Sequence, residues 1–410
     1  MKTTLLNRTA EDESAPWDMK ALSAPPTVFK DPSRDDDDVK AIFYTGLPWK
    51  GQPTRAFAYY GIPKTNGTTK VPAMVLVHGG GGSAYIPWVK LWVGRGYAAI
   101  AMDTCGCVSS GGYQTHPRHE HGGPPGWGGF HQIDAPIKDQ WTYHAVANVI
   151  LAHSLIRSLP EVDPERVGVT GVSWGGYLTC IAAAIDQRFK FAAPVYGCGF
   201  LGDNSVWLDV FQKMGAEKSS KWLNLWDPSL YLARMNKPML WVTGTTDFAY
   251  PMDSLQKSYR LPRSRRTLCL RVDMTHGHGG PGENPEEIHA MADTLLKGGV
   301  DLATITGHGR NGLEAWMEFE SPEAIVKAEL NYTADTGAWQ ERKWATLPAN
   351  LETERQRVTA RLPAETTVYF FNITDKRNLV VSSEHEEIGD LVANPLATVK
   401  KNKKFKQLSS

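Results

Sequence analysis

The chain has 410 residues, 44 of them Lys or Arg and 44 Asp or Glu, for a formal net charge of zero. That balance gives no reason to expect nucleic acid or an anionic membrane as a partner, and no run of about 18 apolar residues offers a membrane-spanning helix. With 41% hydrophobic residues, the length suits one large domain with its own core plus a smaller one.

Residues 1–38 read as a polar N-terminal extension without the apolar centre of a signal peptide. The expected location is therefore cytoplasmic, or secreted if a signal peptide has been removed. The five cysteines, Cys105, Cys107, Cys180, Cys198 and Cys269, sit mostly in apolar strand-like segments and read as buried thiols. The acidic run at 35–38 lacks EF-hand spacing and reads as a solvated loop. Residues 39–45 and 54–62 alternate like half-exposed strands that pair antiparallel. Residues 71–77 (VPAMVLV) are continuously apolar, as in a strand buried on both faces, and end in His78 and four glycines. A helix over 88–93 and a strand over 97–102 follow.

Residues 104–137 form a long Gly/Pro-rich loop carrying His116, His119, His121 and His131, a length that usually marks function. Three of these histidines are close in sequence, as metal ligands often are. Pro117 and the glycines break the register of H-E-x-x-H, so no metal and no cofactor is expected, and the histidines are expected at the pocket mouth. Residues 140–157 form an amphipathic helix. Further strands are expected at 189–195, 238–242 and 267–272, an aromatic-rich insertion at 199–236, and a helix at 285–297. Strand and helix thus alternate over 39–300, the pattern of a mostly parallel sheet with helices on both faces. Beyond Gly299 the helices stop. Strands are expected at 313–319, 324–332, 338–345, 357–361 and 367–373, giving a small C-terminal β-sandwich over 305–395 packed by Trp339 and Trp344, then a basic tail at 396–410.

The chemistry concentrates at residues 166–184. A β-branched run leads into Gly171-Val172-Ser173-Trp174-Gly175, a G-x-S-x-G pentamer, and a helix follows. In that context the pentamer is a nucleophile elbow, which presents the serine hydroxyl at the end of a sheet. A serine needs a base to take its proton and a carboxylate to orient the base, in the order Ser, acid, His. Asp247, in the loop after strand 238–242, is the expected acid. Two histidines compete for the base, His276 and His278. His278 has the longer reach from its strand and precedes Gly279-Gly280, so it is the expected partner of Ser173 and Asp247. The oxyanion donors are expected to be the amides of Trp174 and, in the run after His78, of Gly80.

These four motifs together resemble the α/β-hydrolase superfamily. The span of about residues 55–298 looks most like the branch of dienelactone hydrolases, acetylxylan esterase-like enzymes and the catalytic domains of prolyl-oligopeptidase-type peptidases. The glycines after His78 look like the oxyanion loop, Gly171 to Gly176 like the elbow, Gly244 to Asp247 like the acid loop, and His278-Gly279 like the histidine turn. The resemblance implies a serine esterase working through an acyl-enzyme on a small-molecule or carbohydrate ester, an acetylated carbohydrate being the leading substrate. The rivals are a peptidase or amidase using the same triad, and a non-catalytic binding protein on a hydrolase scaffold.

Overall fold

A computed structural model describes residues 15–388 except 65, 66 and 68. The basic tail at 396–410 and the last residues of the expected sandwich lie outside the described residues.

The expected polar extension is in part structured. A short helix α1 (Met19–Leu22) is capped by Asp18, whose side chain accepts the Ala21 N–H. Trp17 beside it is buried and stacks on Tyr143 at 5.9 Å. Strand β1 (Val28–Lys30) then pairs antiparallel with β2 (Val39–Thr45), and β2 with β3 (Arg55–Gly61). The aspartates at 35–38 pair with nearby lysines, Asp35 with Lys40 and Asp36 and Asp37 with Lys90.

The wholly apolar β4 (Val71–Val77) runs at the centre, buried at every position. After it come α2 (Ile86–Gly94), β5 (Ala98–Met102), α3 (Trp141–Arg157), β6 (Val162–Val172), α4 (Trp174–Ile185) and β7 (Ala192–Val195). The insertion supplies α5 (Leu208–Met214), α6 (Ala216–Trp226) and α7 (Ser229–Leu232). Then follow β8 (Met239–Gly244), α8 (Met252–Tyr259), β9 (Arg266–Arg271), α9 (Gly280–Glu283) and α10 (Glu286–Lys297). The nine strands order β1-β2-β3-β5-β4-β6-β7-β8-β9, with every pair from β5 to β9 parallel. Burial of all residues of β4, β5, β7 and β8 shows that both faces are covered. Helices α3 and α4 pack together, while Arg95 at the end of α2 pairs with Glu286 of α10.

From β4 the chain passes to β5 on one side and returns to β6 on the other. In open α/β sheets that reversal opens a crevice beyond the carboxyl ends of the strands, where ligands bind. The glycine run follows β4 and the elbow follows β6, so both functional loops meet at that crevice.

The C-terminal part is two facing antiparallel sheets. One orders β10 (Thr304–Asn311), β11 (Glu314–Glu320), β15 (Arg357–Arg361) and β14 (Asn350–Glu352). The other orders β13 (Ala345–Pro348), β12 (Ile325–Thr333), β16 (Val368–Asp375) and β17 (Val380–Ser382), with β18 (Glu386–Glu387) on β16. In β11 every second residue, Ala315, Met317 and Phe319, is buried. The sandwich rests on β9: Leu270 donates its N–H to Ser382 Oγ at 2.8 Å, and its carbonyl accepts from Asn372 Nδ2 at 3.0 Å. No helix among the described residues is long and apolar enough to cross a membrane.

Candidate active site

Ser173 sits between β6 and α4 with φ 59° and ψ −120°, a backbone conformation that costs a non-glycine residue free energy and is kept where it serves function. Glycine neighbours make the turn possible. A Cβ on Gly175 would lie 1.9 Å from the Val77 carbonyl oxygen, and one on Gly171 would lie 2.3 Å from the Gly175 carbonyl oxygen. The elbow is therefore wedged against the end of β4, and the turn holds the Trp174 amide next to Ser173 at the first position of α4.

Asp247, in the loop after β8, is 3% exposed. Its Oδ1 accepts the N–H groups of Ala249 (3.0 Å) and Tyr250 (2.7 Å), which fixes the carboxylate. Its Oδ2 accepts a 2.6 Å hydrogen bond from Nδ1 of His276. The expected Asp247–His278 pair is thus corrected: the acid takes the other histidine of the loop. Tyr196, at the end of β7, stacks on the His276 ring at 4.5 Å and donates its hydroxyl to the Thr275 carbonyl at 2.7 Å. With Nδ1–H given to Asp247, His276 carries its lone pair on Nε2, which makes no hydrogen bond among the described residues.

His278 has a different set of partners. Its Nδ1 donates to Glu283 Oε1 at 2.8 Å, and its Nε2 accepts the Gly79 N–H at 2.8 Å. The physical reason is local: α9 brings the Glu283 carboxylate back onto the ring five residues before it, so the longer reach counted along the chain does not decide which ring Asp247 meets. A Cβ at Gly79 would lie 3.1 Å from both His278 Nε2 and Ser173 Cβ, so His278, the glycine loop and the serine form one contact group.

Gly80 packs under aromatic rings; a Cβ there would lie 2.7 Å from Trp174 Cδ1 and 3.5 Å from Trp127 Cγ. The Trp174 ring meets Phe130 of the 104–137 loop at 6.0 Å and Trp207 of the insertion at 4.5 Å. Trp222 of α6 donates Nε1–H to the Gly128 carbonyl, tying insertion and loop together beside the site.

Two of the loop histidines have defined local contacts. His119 packs edge-on against Phe43 at 4.9 Å, and burial pushes its pKa down to about 4. His116 Nδ1 accepts the Gly111 N–H. Among the described residues no group of three or more His, Cys, Asp or Glu side chains is arranged to hold a metal ion. Asp103, unassigned from sequence, ties down the start of that loop, accepting from the amides of Cys105 and Cys107 and from Ser83 Oγ.

The acetyl xylan esterase (AXE1) family model matches residues 30–223, a span that holds the glycine loop and the elbow and stops before Asp247. An uncharacterized peptidase, YuxL, of Bacillus subtilis (strain 168) is 26% identical over 212 residues. That match takes in 47% of this chain and 28% of the relative, so the chain spans under a third of that relative's length. Among solved structures, the acetyl xylan esterase from Paenibacillus sp. R4 superposes with a TM-score of 0.55 at 23% identity, covering 68% of this chain and 92% of that one. Acetyl xylan esterase 1 from Thermoanaerobacterium sp. JW/SL YS485 gives a TM-score of 0.52 at 19% identity, with 69% and 94% covered. Taken with the mostly parallel sheet and the strained serine at its crevice, these likenesses show that the chain has the α/β-hydrolase fold.

Proposed function

We propose that the chain is a carboxylic ester hydrolase that removes acetyl groups from an acylated carbohydrate, with Ser173 as nucleophile, His276 as base and Asp247 as the acid that orients it. The observation that carries the reading is the 2.6 Å Asp247–His276 pair, which engages Nδ1 of the ring and leaves Nε2 for the serine proton. His276 Nε2 takes the Ser173 proton as Oγ attacks the ester carbonyl. The amides of Trp174 and Gly80 receive the negative charge that develops on the carbonyl oxygen. The imidazolium, stabilised by Asp247, gives its proton to the departing sugar alcohol and leaves an acetyl-enzyme. Water then repeats the sequence and releases acetate. The carbohydrate part of the reading is supported by the family model over the first half of the chain.

The test is labelling with a fluorophosphonate, read by intact mass, alongside hydrolysis of p-nitrophenyl acetate and acetylated xylo-oligosaccharide. Wild type should take one adduct and release acetate from the oligosaccharide, and Ser173→Ala should lose both activities and the adduct. Absence of an adduct in wild type would sink the serine mechanism. The likeness to a curated peptidase favours amide cleavage as the second reading; a matched acetyl ester and anilide pair separates the two.

A further inference from the structure

Both backbone polar groups of Gly79 are taken by histidine rings. Its N–H donates to His278 Nε2 at 2.8 Å, and its carbonyl accepts from His78 Nδ1–H at 2.7 Å. Each ring is held in turn. His78 Nε2 accepts the Thr104 N–H at 3.0 Å, and His278 Nδ1 donates to Glu283 at 2.8 Å. Both rings are therefore used as the neutral Nδ1–H tautomer. Burial keeps His78 in that state by pushing its pKa below the ordinary value.

The geometry has a specific consequence. A peptide unit is planar, so the Gly79 carbonyl and the Gly80 N–H share one rigid plane and point in opposite directions. Fixing the carbonyl fixes where the Gly80 N–H points. The preceding plane carries the Gly79 N–H and is fixed by His278. With the two successive planes anchored, the Gly80 N–H keeps little freedom to turn.

We propose that His278, held by Glu283, is a positioning residue that locks the glycine loop so that the Gly80 amide faces the oxyanion. The assignment rests on His276 being the base. His278 is unsuited to that task because its lone pair already receives the Gly79 N–H; taking the serine proton would release the loop at the moment its amide is needed. Its ring packs on Tyr85 at 4.7 Å, which holds it in that orientation.

The experiment compares His278→Ala, Glu283→Ala, Glu283→Gln and His276→Ala as full-length proteins. Turnover of p-nitrophenyl acetate is normalised to the number of fluorophosphonate-reactive sites, and Tm is measured for each. Affinity for a trifluoromethyl ketone, whose adduct with the serine carries the oxyanion, is the second readout. His278→Ala and Glu283→Ala should lose roughly 30-fold in kcat with KM within about twofold, and ketone affinity should fall by the same factor. Glu283→Gln should keep most of the activity, since the amide oxygen still accepts the Nδ1–H. His276→Ala should lose about 10⁴-fold. A His278→Ala loss as deep as that of His276→Ala would make His278 the base and overturn the proposal. So would unchanged kcat, or a kcat loss without a matching loss of ketone affinity. Full activity in His276→Ala would instead overturn the underlying reading of the triad.

Discussion

Two aromatic side chains stand out into solvent on the loops that hold the chemistry. Tyr113 is 69% exposed and Phe248 is 54% exposed. The Tyr113 ring lies across Gly81, where a Cβ would be 2.3 Å from its Cε2, and the Gln114 N–H is bonded to the Gly81 carbonyl. Phe248 follows Asp247 directly and meets the His276 ring at 4.7 Å. Leaving aromatic faces in water forgoes burial free energy, so two of them touching the glycine loop and the histidine suit a flat-faced ring bound between. Tyr113→Ala and Phe248→Ala should each raise KM for acetylated xylose about tenfold, the equivalent of about 1.4 kcal/mol, while leaving ethyl acetate hydrolysis unchanged. Equal losses on both substrates in steady-state assays would remove these rings from substrate recognition. At this scale the sequence is informative where the constraint is local. Ser173 is legible because strand, turn and helix are contiguous. The partner of Asp247 is not, because it depends on how residues 272–283 fold back. The local signal was Glu283, five residues beyond His278, a carboxylate close enough to claim that ring first.

The elbow behaves as an element rather than as a residue. Its glycines at 171 and 175 face backbone oxygens, not solvent, so their cost on substitution is steric. Gly175→Ala should lower unfolding stability by about 4 kcal/mol or prevent folding, since the added methyl meets the Val77 carbonyl and neither backbone can yield without separating α4 from β4. Urea unfolding would measure it, and a loss under 1 kcal/mol would mean that the two elements slide apart cheaply. Continuous apolar strands such as β4 are legible because burial on both faces leaves no polar position. Strand β10 is not, because Gly307 and Gly309 read as loop residues. In the fold both lie under the Trp316 ring of the neighbouring strand, a Cβ on either being 3.3 Å from it, so one aromatic covers two glycines that have no side chain to pack. The expected strand at 338–345 fails for the opposite reason. Trp339 turns inward in a short 3-10 helix (Trp339–Glu341) to pack on His385 at 5.1 Å, and the strand begins only at Ala345.

Over the whole molecule, buried histidines set the response to acid. Burial pushes His385 down to about 3, and His153 and His289 down to about 4. Unfolded histidines titrate near 6.5. Between those values and pH 6.5 the unfolded chain binds protons that the folded chain refuses, so stability rises with pH through this window. It is fully present above about pH 6.5 and is lost as pH falls toward 4. Tm should therefore drop between pH 7 and pH 5, and His385→Leu should flatten part of that slope. A Tm independent of pH over this range in differential scanning calorimetry would contradict the buried neutral state. The β-sandwich enters at the same scale. Among the described residues no strand is paired by backbone hydrogen bonds to the outer edge of β9, although β17 packs beside it. Its Leu270 backbone is met by side chains of Ser382 and Asn372, and Glu287 of α10 accepts the Val380 N–H while pairing with Arg271. An unpaired edge is a template for any other strand. The two halves are thereby tied together: a chain cut back to end before residue 301 would keep Ser173 in its turn and lose the side chains that occupy the backbone of its last strand.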